Sequence, residues 1–298
     1  MNSPAPPSQE AARKAGQVDL ADLPPASEAF VRIAQECMGH WQANEAALLT
    51  SRAAPQLHQM RVGIRRLRSS FSLFRPMLIH VPGALDLAGR LRAAALVFGP
   101  ARDLDVLLAG PLAEDLTATQ VDQLREAREA AYDSALTTLN SPAWAALRDE
   151  LTTFRDAAPW GLASDPPIDV LAARVLGKRR HRVVQRGTHL RRRSPAARHA
   201  VRIEAKKLRY GSEFFSSAYA ASVPVLVTGS GERLVGGAAY ARVSAELTDA
   251  LGLLNDHAIA AHLLTSVGAL APGLDEAALL TQAVAAQHRL CDLKTFWT

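Results

Sequence analysis

Cysteine is nearly absent: the 298 residues hold two, Cys37 and Cys291, with no C-x-x-C spacing. That excludes a disulfide framework and a cysteine-built zinc site. Aromatic residues reach only 5%, and β-branched residues are sparse outside a few valine clusters, a balance that favours helices over strands. No apolar run approaches the roughly 18–20 residues needed to span a bilayer. The opening MNSPAPPSQEAARKAG carries no apolar stretch of the secretory kind, so a cytoplasmic location is expected. Acidic residues are also missing, but only locally.

With 48% hydrophobic and 21% charged residues, the chain has the means to bury one large core or two small ones. Residues 1 to about 24 are rich in Pro, Ala and Ser and read as a mobile tail. Apolar periodicity predicts helices over about 27–51, 55–82, 83–98, 102–110, 118–139 and 142–156. Helical patterns resume over 168–191, 195–219, 237–250, 254–267 and 274–295. The turn-rich stretch from Pro159 to Pro167 is the expected boundary between two halves. Residues 221–237 read as a long loop. Their VPVLV core has strand character, but no partner strand is evident elsewhere. The fold class is all-α.

Between Arg174 and Arg209 stand fourteen Lys or Arg and one acid, Glu204, a local balance of +13; subtracting this from the +5 of the whole chain leaves −8 elsewhere. A second acid-free stretch, between Glu45 and Asp86, holds Arg52, Arg61, Arg65, Arg66, Arg68 and Arg75. Ordinary solvated helix faces mix both signs, so segregation of this kind points to a polyanionic partner.

The sequence also repeats itself. His58-Gln-Met-Arg61-Val-Gly-Ile-Arg65-Arg66-Leu67-Arg68 recurs 141 residues later as His199-Ala-Val-Arg202-Ile-Glu-Ala-Lys206-Lys207-Leu208-Arg209, changing character only at Gly63 against Glu204. Gly99-Pro-Ala-Arg102-Asp103 resembles Gly252-Leu-Leu-Asn255-Asp256 at an offset of 153, the extra twelve residues falling where the 221–237 loop lies. Two related helical halves about a pseudo-two-fold axis are expected.

On a helix at about 100° per residue, with His58 as zero, Arg61, Arg65 and Arg68 fall between about 280° and 340°. Met60, Ile64, Leu67, Phe71 and Phe74 fall on the opposite side, between about 160° and 240°. The second repeat behaves alike, with His199, Arg202, Lys206 and Arg209 opposite Val201, Leu208 and Phe215. Arg66 and Lys207 lie at about 80°, beside the stripe. Like charges at i, i+3 and i+4 repel by a few tenths of a kcal/mol per pair. Each stripe therefore calls for an anion, and one both extended and dense, because the cations run over about 15 Å of helix. A phosphate chain meets both conditions. Arginine offers its oxygens a planar fork, lysine a compact charge, and a terminal histidine a further donor.

These residues resemble the conserved histidine α-helical domain, the CHAD family, in its stand-alone type. Its hallmarks read approximately H-x-x-R-h-x-x-R-R-L-R and L-G-x-x-R-D-x-D-V. The first is met by His58 to Arg68 and, with lysines, by His199 to Arg209; the second by Gly99 to Val106 and, more weakly, by Gly252 to Asp256. Phe98 stands where the family often has Leu, and Asn255 replaces the Arg. The resemblance implies two four-helix-bundle-like halves, about 27–158 and 166–298, forming one domain with a basic central surface behind a disordered tail of 1–26. It further implies a non-catalytic protein that binds inorganic polyphosphate and associates with polyphosphate granules, where other granule proteins are further candidate partners. Carried over by motif, the binding surface is His58, Arg61, Arg65, Arg66 and Arg68 with His199, Arg202, Lys206, Lys207 and Arg209. Arg92 and Arg102 are expected contributors, and Lys178, Arg179 and Arg182 come from the basic run.

Other readings are weaker. His58 and His199 stand among cations that would repel a metal. Asp103-Leu-Asp105 resembles a short metal motif, but Asp103, and Asp256 in the repeat, are expected as helix caps paired with a nearby Arg. Gly229-Ser-Gly231 lacks the strand and helix of a nucleotide loop. Trp41, Trp144, Trp160 and Trp297 read as core or surface anchors. Neither a cofactor nor a catalytic constellation is expected. RNA or single-stranded DNA is the alternative partner, disfavoured because the stripes carry no aromatic stacking platform. A polyphosphate-processing enzyme is the remaining alternative, disfavoured because the stripes lack carboxylates to hold Mg²⁺.

Overall fold

The computed structural model describes residues 11–219, 225–227 and 233–298. Among these residues the chain forms eleven α-helices and one short antiparallel hairpin. The all-α class holds.

Helix α1 (Ala26–Ser51) opens where the Ser27 N–H donates to Asp165 at 2.9 Å and its hydroxyl donates to the same carboxylate. Helix α2 (Ala54–Leu73) has Pro55 in its first turn, as expected, but stops nine residues short of Pro82. Pro76 has no N–H to offer the Ser72 carbonyl and its ring crowds that turn, so α2 ends at Leu73, the chain turns at Phe74 and restarts with Pro76 in the single turn α3 (Arg75–Leu78). Helix α4 (Ala84–Ala94) tightens into a 3-10 turn over Ala95–Phe98 and passes into α5 (Gly99–Ala109). Proline in the first turn suits α5, which therefore begins three residues earlier than expected. Asp103 consequently sits inside the helix and caps nothing. Helix α6 (Ala118–Leu139) carries a Thr117–Gln120 capping box, and α7 (Pro142–Asp156) is capped by Ser141.

After the boundary loop come α8 (Ile168–Gly187) and α9 (Pro195–Phe214), the latter capped by Ser194. Strand β1 (Val225–Val227) pairs with β2 (Arg233–Val235), so the strand in the expected loop does have a partner, within its own segment. Gly229–Gly231 lies outside the described residues. Where two helices were expected over 237–267, α10 (Gly236–Ser266) runs unbroken through Gly252. Asp256 is thus mid-helix, and its capping role is also corrected. Helix α11 (Glu276–Asp292) closes the chain.

The two halves meet at their starts and along α2 and α9. The Ala26 N–H donates to the Pro166 carbonyl at 2.9 Å, and the Ile168 N–H to the Pro24 carbonyl at 2.9 Å. At the far ends of α2 and α9, Phe74 and Phe215, equivalent positions of the repeat, pack ring against ring at 5.7 Å. Phe30 collects Phe71, Phe74, Phe154 and Trp160 around it, and Tyr240, Phe296 and Trp297 cluster beneath α10.

The expected mobile tail is corrected for residues 11–25; residues 1–10 lie outside the described residues. Val18 and Leu20 are buried. The Leu20 N–H donates to Ser217 Oγ at 2.9 Å, that hydroxyl donates to the Val18 carbonyl at 3.1 Å, and Asn44 donates to the Arg13 carbonyl at 3.0 Å. Two apolar anchors and a satisfied backbone hold the segment against the body.

Candidate functional site

The apolar stripe of α2 sets its rotation. Met60, Ile64, Leu67 and Phe71 are buried, so His58, Arg61, Arg65 and Arg68 emerge together, half-buried, on the other side. Val201, Ala205 and Leu208 orient α9 in the same way and bring out Arg202 and Lys206. The stripes are tied directly: Arg65 Nε donates to the Tyr210 hydroxyl at 2.8 Å across the helix pair. Arg65 lies in the field of His58, Arg61, Arg68, Arg202 and Lys206. Arg102 of α5 acts on His58 and Arg61, and Arg92 of α4 acts on Arg68. Eight of the expected residues thus form one basic surface, with a pocket of about 70 Å³ where Arg61, Arg65 and Arg68 stand over Ile64, Ala95 and Phe98.

Crowding and burial act on the protons. Burial first, then Arg102, Arg65 and Arg61, press the His58 imidazole down to about 4. Burial, with Arg65 and Arg202 alongside and Asp256 and Asp249 opposing, brings the Lys206 ammonium down to about 7. Arg61, Arg68 and Arg202 are lowered as well, burial leading in each case. Among the described residues, none of Arg61, Arg65, Arg68, Arg92, Arg102, Arg202 and Lys206 makes a salt bridge to a carboxylate. The region is charged in excess and partly desolvated.

The remaining expected cations behave differently. Arg66, buried, pairs with Glu213 at 2.5 Å and lies over the Phe214 ring at 4.8 Å. Its repeat equivalent Lys207 pairs with Glu204 at 3.1 Å. Arg179 pairs with Glu204 at 2.9 Å and donates to Ser72 Oγ at 2.9 Å, while Arg182 stands 3.7 Å from the same carboxylate. Against the burial that would raise it, Arg179 and Lys207 hold the Glu204 carboxyl below the usual range. Arg209 pairs with Glu213 at 2.9 Å. Lys178 and His199 are exposed, on α8 and on the first turns of α9. The eight residues around Arg65 therefore share one surface whose Arg and Lys side chains, among the described residues, make no salt bridge.

The repeat's one mismatch follows from this division. Gly63 lets α2 approach α1, because a β-carbon there would stand 2.8 Å from Trp41 Cβ and the Trp41 backbone nitrogen. Glu204 in the same repeat position gathers the cations of α8 and α9. The second motif also acquires a purpose: Arg202 Nε donates to the Thr248 carbonyl at 3.2 Å, and the side chain lies against Gly252.

Three acids stand near the stripes: Asp103 and Asp256, which sequence reasoning placed as caps beside an Arg, and Asp249, which it missed. Burial leads in raising the Asp103 carboxyl above its usual range, with Asp256 working the same way and Arg61 and Arg102 working against it. Asp249 acts on Lys206 and Arg202. Their relation was hidden because it depends on α5 meeting α10. Asp105, two residues from Asp103, points the other way and accepts from Arg128 Nε at 2.7 Å and from the Tyr132 hydroxyl at 2.8 Å. The D-x-D pair cannot converge on one ion. Trp41 and Trp144 are core residues, both donating to buried Glu45.

A solved structure described as the CHAD domain from the plant Ricinus communis is similar, with a TM-score of 0.76 and 26% identity over 96% of this chain and 98% of that one. PptA from Streptomyces chartreusis shares the fold at a TM-score of 0.57 and 14% identity, covering 90% of this chain and 96% of its own. A search of curated proteins finds no match. No helix among the described residues is long and apolar enough to cross a membrane. The CHAD domain family matches residues 32–265, from within α1 to the last turn of α10 and so across both basic stripes and both glycine motifs, and the chain belongs to that family.

Proposed function

We propose that the chain binds inorganic polyphosphate, without transforming it, on the surface centred on Arg65, and that this binding takes it to polyphosphate granules. One observation carries the reading: seven cations from α2, α4, α5 and α9 stand together and, among the described residues, none of them makes a salt bridge, while the neighbouring Arg66, Arg179, Lys207 and Arg209 pair with Glu213 or Glu204. Such crowding is unfavourable in the empty protein and is relieved by a dense, extended anion.

The guanidinium forks of Arg61, Arg65 and Arg68 would take non-bridging oxygens of successive phosphates, with Lys206 and Arg202 meeting the chain from α9. Affinity comes from charge neutralisation and counterion release and falls steeply with salt. The rival nucleic-acid reading needs exposed rings for base stacking. Tyr210 and Phe98, aromatic residues beside the stripes, are both buried, and the Tyr210 hydroxyl is occupied by Arg65.

The test is retention on immobilised long-chain polyphosphate. The Arg65→Ala, Arg68→Ala double variant should lose most binding and show a shallower salt dependence. Undiminished retention would place the ligand elsewhere. Displacement by RNA at equal phosphate concentration would favour the nucleic-acid reading, and shortening of the chain on incubation with Mg²⁺ would favour an enzyme.

A further inference from the structure

The basic run continues past the Arg65 surface. Residues 188–194 leave α8, turn through His189 at φ 57° and pack on α11. Between them lies a pocket of about 340 Å³ whose polar lining is His189, Arg191, Arg192, Gln287 and His288. Among the described residues no acid lines it; the nearby Glu276 is taken by Arg198. The turn is held from three sides. Arg191 donates to Thr281 Oγ1 at 2.9 Å, Arg193 to the Thr188 carbonyl at 3.1 Å, and Arg198 to the Arg191 carbonyl at 3.0 Å. The Arg192 N–H donates to the His189 carbonyl at 2.8 Å, and its guanidinium makes no hydrogen bond or ion pair among the described residues.

The volume falls at the small end of the roughly 300–1,000 Å³ typical of ligand pockets. Those are mostly apolar, whereas here every charged or titratable lining group is a guanidinium or an imidazole. The chemistry selects an anion with several acceptor oxygens.

The pocket is also joined to the Arg65 surface by charge. Lys207 follows Lys206 directly, and the single carboxylate of Glu204 is shared by Lys207, Arg179, Arg182 and Arg186 at 3.1, 2.9, 3.7 and 3.9 Å. One negative charge among four positive ones leaves a net positive path. Arg182 and Arg186 are partly exposed along it, and Arg186 is three residues before His189. From Lys207 to Pro195 this path follows about 18 Å of helix.

We propose that the pocket between the 188–194 turn and α11 is a second phosphate site, anchoring a phosphate chain that runs on from the Arg65 surface along α8 and α9. It rests on the polyphosphate reading for the identity of the chain, and on its own lining for the site. Two anchors on one chain act through effective concentration, so length matters. Tripolyphosphate is too short to reach both.

The experiment compares the parent with the Arg191→Gln, Arg192→Gln, His288→Gln variant, binding long-chain polyphosphate and tripolyphosphate. The expected result is a loss of about tenfold or more for the long chain and little change for tripolyphosphate at the Arg65 surface. In parallel, the ring resonances of His189 and His288 in the full chain should shift when long-chain polyphosphate is added and return when salt is raised. Unmoved rings while the Arg65 surface fills, or equal affinities of parent and variant for the long chain, overturn the second site and leave the proposed function standing. Loss of long-chain binding in the Arg65→Ala, Arg68→Ala variant alone has the same meaning. If the parent retains no polyphosphate, the proposed function fails, and the ring titration with tripolyphosphate then decides the pocket by itself.

Discussion

The guanidinium of Arg202 rests on Gly252: a β-carbon there would stand 2.9 Å from Nη2 and 3.3 Å from Nε. In the first half, Arg61 stands over Gly99 in the same relation, but more loosely, 3.8 Å from the corresponding position. The two repeated motifs are therefore one device, a stripe arginine and the small residue that gives it room.

Gly252→Ala should push the Arg202 guanidinium off its seat and weaken polyphosphate binding several-fold. Alanine in a helix interior gains about 1 kcal/mol over glycine, so thermal stability should hold or rise while affinity falls. Gly99→Ala meets only an ordinary contact and should leave affinity nearly unchanged. Titration and a thermal melt of both variants check the pair.

Arg65 and Arg66, adjacent in sequence, should fail in opposite ways. Removing Arg66 leaves Glu213 without one of its two arginines inside the α2–α9 seam and strips the cation from the Phe214 ring. Breaking a buried pair from one side costs about 3–5 kcal/mol, and since Glu213 is partly exposed and keeps Arg209, Arg66→Ala should fall at about 3 kcal/mol or less by denaturant unfolding. Arg65→Ala loses a hydrogen bond to Tyr210, worth about 1 kcal/mol, but relieves repulsion with its neighbours. It should unfold near the parent midpoint and bind polyphosphate poorly.

That contrast marks how far the sequence could be read. The stripe, its apolar back and the repeat need only helical periodicity, and the structure brings His58, Arg61, Arg65, Arg68, Arg202 and Lys206 together as the stripes imply. The fate of Arg66 and Lys207 at the stripe's side depends on which helix packs there and whether it carries an acid, which periodicity does not encode. The same holds for Asp103 and Asp256, which meet only because α5 lies against α10. The hairpin was obscure because β2 is three residues long, and Gly252 looked like a break although a helix passes through it.

Binding should tighten as the pH falls. In the free protein Lys206 titrates at about 7, lowered from 10.5, and His58 at about 4, lowered from 6.5. A bound polyanion favours the charged forms, so the complex takes up protons, and affinity rises as the pH drops toward 7 for Lys206 and again toward 4 for His58. Stability of the empty protein has the opposite sign. The unfolded chain holds more protons at these two groups between pH 7 and 10.5 and between pH 4 and 6.5, so their contribution to stability increases with pH in each window. Calorimetry in buffers of different ionisation enthalpy should report proton uptake near pH 8 that Lys206→Met abolishes.

The segment 11–25 should matter to stability and not to binding. Most of its contacts lie on α1 and on the turn after α9, with the Pro24 carbonyl accepting from Ile168 and the Gly16 carbonyl from Arg66; Val18 and Leu20 are buried, and the Arg13 carbonyl accepts from Asn44 and from His40 Nε2, each at 3.0 Å. Fully burying two such side chains contributes about 1.5–3 kcal/mol each, before counting the polar groups of His40 and Asn44 that deletion would uncover. A chain lacking residues 1–25 should therefore lose at least about 3 kcal/mol by denaturant unfolding. Its affinity for polyphosphate should match the parent at temperatures where both are folded, because the segment supplies none of the cations around Arg65. Burial is the main reason the His40 imidazole is held below its usual range, so uncovering it should raise its titration midpoint, which is readable from the ring signals. A truncated chain with parental stability and an unmoved His40 would mean that these contacts contribute nothing in solution.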